Sequence, residues 1–285
     1  QTDYLGLMPR YLRAPQAEGE LEYTVRTLEA GEEYRLTGIQ WTPGGGRRRL
    51  RLWCPLEPGP DGAPRPPAAA VYVMFADVAN GQGASNSVIS VADADRREQV
   101  AQFVCPHTPP HELARCAAAM GRWFGGATGW AFLGWEANGP GGIFGREVLR
   151  LGYPYVLHAR DEDVAHRPAG RRFGWHATRR SKELLLSDYR RALGRGEFVL
   201  HCEDSLREAE QYVYYDDGGI GPAGLTREPA GARAAHGDRV IADAGLVLCL
   251  HERPRTPPPP TETHPRSYAA RRRQYLREKG KEDAW

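Results

Sequence analysis

The chain has 285 residues, of which 41% are hydrophobic and 26% charged, enough apolar content for a sizeable core and too much for a disordered chain. Lys and Arg number 38 against 36 Asp and Glu, a formal charge of +2, so any grip on a polyanion must come from where charges sit rather than from their sum. No run reaches the roughly 18 to 20 apolar residues of a membrane span, and no charged-then-apolar signal segment opens the chain, which predicts an intracellular protein.

Residues 1–19 carry little pattern. From Glu20 to about Pro55 three β-like runs follow one another, Leu21–Val25, Tyr34–Ile39 and Arg49–Trp53, with a turn at Thr42–Gly46. Their alternation predicts a small antiparallel meander. Pro55–Pro67 is rich in Pro and Gly and reads as a linker or extended arm. Residues 68–75 form an apolar run of the length and composition of a buried strand, ending at Asp77 before the Gly-rich turn Asn80–Gly83. Residues 86–105 read as a hairpin around the polar tip Asp93–Arg97. Pro109–Phe124 reads as a helix, because Leu113, Ala117, Met120 and Phe124 fall on one face. A second buried strand, Trp130–Trp135, leads into Glu136, a turn at Asn138–Gly142 and a short helix presenting Phe144, Val148 and Leu151. Thr178–Leu193 reads as a helix with Thr178 as N-cap. A short strand at 198–200, a helix over Asp204–Tyr212, a loop with some β-ribbon over Gly218–Ala235 and a last helix opened by His236-Gly237-Asp238 complete the middle. A polyproline run, Pro257–Pro260, and a basic tail containing Arg271–Arg273 end the chain. This order predicts an α/β sheet with helices on its faces.

Five cysteines, Cys54, Cys105, Cys116, Cys202 and Cys249, form no CxxC pair and indicate neither a zinc site nor a disulfide framework. Only Lys182, Lys279 and Lys281 are lysines; the other basic residues are arginine, the side chain best shaped for phosphate. The chain starts at Gln1 rather than Met, and we expect further sequence upstream.

Two buried strands end in a carboxylate followed by a Gly-containing turn, at Asp77 and at Glu136. In open α/β sheets functional groups gather beyond the carboxyl ends of the strands. If the two strands are parallel neighbours, the two acids face each other, partly desolvated and in need of a cation or donor. Magnesium suits such a site, since it takes oxygen ligands and uses one or two carboxylates together with phosphate; two such ions clamp the attacking and leaving oxygens of a phosphodiester. A third acid is expected at Asp238, at the mouth of the last helix, rather than Asp243, which lies about 140° round that helix. A strand-end acid before Gly is also an ordinary turn residue, and an Asp at a helix start is favoured by the helix dipole alone.

The segments Asp77–Ser87, Glu136–Gly141, Gly174–Thr178 and Ala235–Asp238, in this order and spacing, resemble the nuclease domain of phage large terminase subunits over about residues 68–251. The resemblance implies an RNase H-like fold: a mixed sheet with helices on both faces, preceded here by the small antiparallel β meander. It divides the chain into an N-terminal β-rich extension with its Pro/Gly linker (1–67), the RNase H-like nuclease domain (68–253) and a Pro-rich basic tail (254–285).

The activity implied is cutting of concatemeric double-stranded DNA during viral packaging, by endonuclease chemistry dependent on two Mg²⁺ or Mn²⁺ ions. Asp77, Glu136 and Asp238 then fall on the family's acids, as catalytic residues and metal ligands. The family often has two adjacent aspartates after the histidine, where this chain has Gly237 and then Asp238, a departure that bears on the number of metal-binding oxygens. Secondary candidates are Asn138, for a turn or a phosphate; Thr178, as a helix cap, and Lys182, both near the site; and His236, orienting a water. DNA grip is expected from Arg96 and Arg97 at the hairpin tip, from Arg171, Arg172, Arg179 and Arg180 around the third motif, and from Arg227 and Arg233 in the long loop. A packaging ATPase, absent here for want of a G-x-x-x-x-G-K-[ST] element, a portal and a small terminase subunit are the implied partners, and the bacterial host cytoplasm the implied location. Two other readings remain: a non-catalytic RNase H-like module that binds DNA or a partner, motivated by Gly237, and a resolvase- or transposase-like nuclease of the same fold.

Overall fold

Residues 11–27, 34–44, 49–158, 173–215, 219–223 and 237–254 are described by the structure, a computed structural model. The alternating N-terminal runs form β1 (Ala17–Thr27), β2 (Tyr34–Pro43) and β3 (Leu50–Leu52). A small ribbon of β4 (Glu57–Pro58) and β5 (Pro64–Arg65) follows within the Pro/Gly-rich stretch, and the Pro64 carbonyl accepts from the Trp123 indole at 3.1 Å. The apolar runs give β6 (Tyr72–Asp77), the hairpin β7 (Ser87–Asp93) and β8 (Glu98–Cys105), helix α1 (Pro110–Trp123), β9 (Phe132–Trp135) and α2 (Gly141–Arg150). Then come α3 (Arg179–Gly194), α4 (Glu203–Glu210), a ribbon of β10 (Tyr212–Tyr214) and β11 (Ile220–Pro222), and α5 (Asp238–Glu252).

Seven strands make one mixed sheet in the order β2-β1-β3-β8-β7-β6-β9. The first three strands are antiparallel, but β1, not β2, sits in the middle and pairs with both neighbours. They also continue the central sheet, because β3 pairs with β8. Among the seven described strands of this sheet, β6 and β9 are the one parallel pair, with Ala76 opposite Trp135. The remaining pairs are antiparallel, as short hairpin connections allow.

Side-chain alternation sorts β6 into two sets. Tyr72, Met74 and Ala76 point to the side where Phe124 at the end of α1 meets Tyr72 edge-on, with ring centroids 5.2 Å apart. On that same side Trp135 packs on Phe144 of α2 at 5.8 Å. Val73, Phe75 and Asp77 point the other way, towards α5, with α3 and α4 beside it. Helices therefore cover both faces, and β6, β7 and β9 are buried almost throughout. That burial explains why these strands read as continuous apolar runs rather than alternating ones.

The α5 helix approaches the sheet unusually closely. A Cβ on Gly245 would collide with the ring of Phe75, and one on Gly134 of β9 would meet both that ring and the Cys249 sulfur. Phe75 and Cys249 have no exposed surface, so neither can step aside. Gly245→Ala is therefore expected to lower stability by about 1–3 kcal/mol through overpacking. Gly142→Ala, in α2 with only ordinary contacts around its Cβ position, should be neutral or gain up to about 1 kcal/mol. Urea unfolding of both variants checks this; equal midpoints would mean that α5 does not sit on Phe75.

Candidate metal centre

Asp77 is the last residue of β6 and Glu136 the first after β9, and the parallel register that sets Ala76 beside Trp135 sets these two acids side by side. The Glu136 amide donates to the Ala76 carbonyl at 3.0 Å, fixing that step. Alternation puts Asp77 on the face of Phe75, and Glu136 on the face of Phe132 and Gly134. That is the face covered by α5. On α5, Gly245 and Cys249 follow Asp238 by seven and eleven residues, each within about 20° of it round the helix. The stripe that seats Gly245 and Cys249 on the sheet therefore carries Asp238 to the strand ends, above Asp77.

A further segment is tied to this edge. Trp175 bridges Glu136 in parallel, its amide donating to the Trp135 carbonyl at 2.8 Å while Ala137 donates to the Trp175 carbonyl at 2.8 Å. The Asn138 side chain donates from Nδ2 to the Ala177 carbonyl at 2.9 Å and accepts at Oδ1 from the Ala177 N–H at 2.7 Å. Thr178 and Ser181 form a reciprocal capping box at the start of α3. These backbone ties bring Lys182, one turn into α3, close enough for its charge to act on both Asp77 and Glu136.

The electrostatics follow from crowding. Burial pushes the Asp77 carboxyl well above the usual carboxylate range, and the neighbouring Glu136 and Asp238 charges push it further; Lys182 and the Val78 N–H pull the other way. Glu136 is raised by burial and partly relieved by Lys182. Asp238 is held differently. Its carboxylate accepts from the Asn86 N–H at 2.7 Å and from the Ser85 hydroxyl at 3.1 Å, joining α5 to the Gly-rich loop. A cleft of about 270 Å³ opens here, lined by residues 77–82 and 84–86 with Pro140 and Asp238.

Among the described residues, no three His, Cys, Asp or Glu side chains are grouped closely enough to hold a metal ion as they stand. The donor chemistry nonetheless suits a hard cation. Asp77 and Glu136 are adjacent, desolvated oxygen donors with too little positive charge between them, and a magnesium-type ion needs only one or two carboxylates when phosphate and water complete its shell.

The structure thus sets Asp77 and Glu136 side by side, with the Asp238 and Lys182 charges near enough to act on Asp77, and Asn138 and Thr178 serving as turn and cap nearby. Arg179 and Arg180 lie exposed at the start of α3, Arg179 paired with Glu183 at 3.4 Å. Arg96 and Arg97 are not at the site. The hairpin tip stands at the far end of the sheet, where the Arg97 guanidinium donates to the Glu197 carbonyl at 2.7 Å and lies 3.4 Å from His251. His251 is thirteen residues along α5 from Asp238, about 20 Å at 1.5 Å per residue. Arg96 pairs with Glu98 at 3.2 Å. The reason is direction: β7 starts beside Asp77 and runs away from it. Asp243 is fully buried, bonded to Ser90 at 2.6 Å and Gln99 at 3.0 Å, and raised by burial to about 6. His236, Arg171, Arg172, Arg227, Arg233 and the tail lie outside the described residues.

Tyr212, Glu208, Ser85 and Asn86 are site neighbours that sequence reasoning missed as such. Ser85 and Asn86 lie inside the first motif; nothing in the sequence marks the other two. Tyr212 also explains Gly237, because a Cβ there would run into the Tyr212 hydroxyl and Pro222.

Asp77 holds its proton more tightly in the folded chain than in the unfolded one. Its contribution to stability is therefore fully present at low pH and is lost as pH rises above the ordinary carboxylate value of about 3.9. Asp77→Asn, which cannot ionise, is expected to melt higher than the parent at pH 7 without divalent metal, by about 2–4 °C per kcal/mol relieved. The gap should close towards pH 4. Thermal melts across that range check the sign, and a gap independent of pH would contradict it.

No protein-family model and no curated protein matches the chain. Among solved structures, it is similar to the large terminase nuclease from thermophilic phage G20c with bound magnesium, at 17% identity and a TM-score of 0.51, covering 72% of this chain and 89% of that one. The same nuclease with bound cobalt aligns over the same shares at 17% identity and a TM-score of 0.50. At this identity the likeness is one of architecture, and it agrees with the seven-stranded mixed sheet covered by helices on both faces: the chain has an RNase H-like fold, that of phage large terminase nucleases.

Proposed function

We propose that the chain is the nuclease part of a viral DNA-packaging terminase large subunit, an endonuclease that cuts concatemeric double-stranded DNA with two divalent ions, Mg²⁺ or Mn²⁺. What supports this reading is the adjacency of Asp77 and Glu136 at two parallel strand ends, with Asp77 desolvated and acted on by the Glu136 and Asp238 charges. The terminase nucleases that share the fold were solved with magnesium and with cobalt, which supports a divalent cation. Residues 68–253 form the nuclease domain on this reading, with 1–67 as an extension and 254–285 as a tail. A packaging ATPase, portal and small terminase subunit are its partners in the host cytoplasm.

Divalent cations supply Lewis-acid activation of water and stabilise the leaving 3′ oxygen of a phosphodiester. The chain's own contribution is placement. Asp77 and Glu136 offer adjacent oxygen donors on rigid strand ends, and Asp238 closes the third side from α5. Lys182 carries an ammonium close enough to act on both carboxylates and would pair with a substrate phosphate there. Arg179 and Arg180 extend that positive strip along the exposed start of α3, giving backbone contact without sequence readout.

A second reading keeps the fold without the chemistry: a module that docks DNA or a partner. The Ser85 and Asn86 bonds that hold the Asp238 carboxylate favour it. Supercoiled plasmid distinguishes the two. The parent protein should nick it with Mn²⁺ or Mg²⁺ and not with EDTA, and Asp77→Asn, Glu136→Gln and Asp238→Asn should each lose about 100-fold or more, beyond the 10- to 100-fold typical of groups that merely support a metal site. No nicking with any divalent metal would leave the docking reading, and cleavage surviving all three substitutions would move the site elsewhere.

A further inference from the structure

The first turn of α5 carries Asp238 but has no cap of its own. Its N-cap residue is Gly237, which has no side chain to accept from the free amides. From outside the acid cluster, Glu208 accepts in its place and Tyr212 ties down the carbonyl of the N-cap residue. Glu208, in the last turn of α4, accepts from the Arg239 backbone amide at 3.0 Å through one carboxylate oxygen and from the Arg239 guanidinium at 2.6 Å through the other. The Tyr212 hydroxyl, at the start of β10, donates to the Gly237 carbonyl at 3.0 Å. These bonds grip the residues on either side of Asp238.

The grip is buried and anchored. The Glu208 and Arg239 side chains are 13% and 16% exposed, so their pairing is poorly screened, and loss of one partner leaves a desolvated charge. Arg239 also donates to Gln102 of β8 at 3.2 Å, and Gln102 donates to Ser205 of α4 at 2.9 Å. The clamp therefore ties α4 and α5 to the sheet. On the opposite side the Asp238 carboxylate itself is held by Ser85 and Asn86. Asp238 is thus fixed from its backbone by one set of groups and from its oxygens by another.

We infer that Glu208 and Tyr212 are positioning residues for Asp238: by bonding the backbone of residues 239 and 237 they hold the first turn of α5 where its carboxylate meets Asp77 and Glu136. This rests on the reading of those acids as a divalent-cation site. Neither residue touches the ion or the DNA; each acts through Asp238. The clamp also requires Gly237 itself, since Tyr212 reaches the backbone through the space any side chain there would fill.

Mn²⁺ titration calorimetry on the full chain tests the inference without recourse to activity, at a temperature well below each variant's Tm. Glu208→Ala is expected to weaken Mn²⁺ binding about 10-fold, the lower end of what supporting groups contribute, and Tyr212→Phe to weaken it by a smaller factor in the same direction. Glu208→Gln, which keeps an acceptor for the Arg239 amide, should recover most of the loss. Arg51→Ala cuts the 2.7 Å bond between Arg51 and Asp204 of α4 while leaving the Glu208–Arg239 bonds and the 3.6 Å contact of Asp204 with Arg239 in place, and should lower Tm while leaving Mn²⁺ affinity at the parent value. If Glu208→Ala and Tyr212→Phe bind Mn²⁺ like the parent while Asp238→Asn has lost it, the positioning role is wrong and the site stands. If Arg51→Ala weakens Mn²⁺ as much as Glu208→Ala, the effect is general loosening and the role is again wrong. If the parent takes up no Mn²⁺, or Asp238→Asn binds as well as the parent, the metal-site reading falls and this inference with it.

Discussion

The close seating of α5 on β6 and β9 is the constraint on which the rest depends. Gly245 lies against the Phe75 ring, and Gly134 admits Cys249. Ordinary side chains at either glycine would hold the helix off the sheet, and the helix stripe that carries Asp238 would then miss the strand ends. Because packed interiors are nearly incompressible, this contact sets position rather than merely filling space. Asp77 and Glu136 owe their mutual placement to a backbone register; Asp238 owes its placement to side-chain volume two and three turns away.

Bringing three acids together has a cost that the fold meets only in part. Lys182 and the Val78 amide relieve Asp77, while burial, Glu136 and Asp238 act against it. Around this cluster the structure is conspicuously well bonded. Asp238 has Ser85 and Asn86, Glu208 has Arg239, and Asp243 has Ser90 and Gln99 deeper along the same helix. These bonds stiffen the frame, yet one Asp243 oxygen is buried without a hydrogen-bond partner, and burial raises the Asp243 and Glu208 carboxyls to about 6 and about 7, so the strain is not confined to the strand ends.

Much of this was legible in the sequence, and the limits have physical reasons. Buried strands announce themselves as apolar runs, so β6 and β9 with their terminal acids were readable, and α5 could be placed from its periodicity. The parallel pairing of β6 with β9 could be stated only as a condition, because no local pattern encodes which strands become neighbours. The same non-locality hid the central position of β1. Arg96 and Arg97 are a different case. A hairpin following a strand that ends at Asp77 begins near Asp77 and turns far from it, so chain direction outweighs residue type in placing these arginines. Glu208 and Tyr212 could not have been found: their bonds to the first turn of α5 span 31 and 25 residues, and a Glu and a Tyr near a predicted helix end are unremarkable.

Gly237 shows how a local departure can be consistent with the whole. A second acid at this position would place another carboxylate beside a cluster where Asp77 already ionises with difficulty, and it would have to displace the Tyr212 hydroxyl. Tyr212 is neutral at any ordinary pH, its phenol raised by burial and then by the Asp77, Glu208 and Asp238 charges. It contributes a donor where an acid would contribute charge. The exchange lowers the repulsion that the folded chain must bear without metal, and it ties the first turn of α5 to β10. It also leaves fewer anionic oxygens to attract a cation. On the proposed reading, such a site would gain rigidity at the expense of charge, and its cation affinity would depend more on how accurately the three acids are held and on the substrate phosphate.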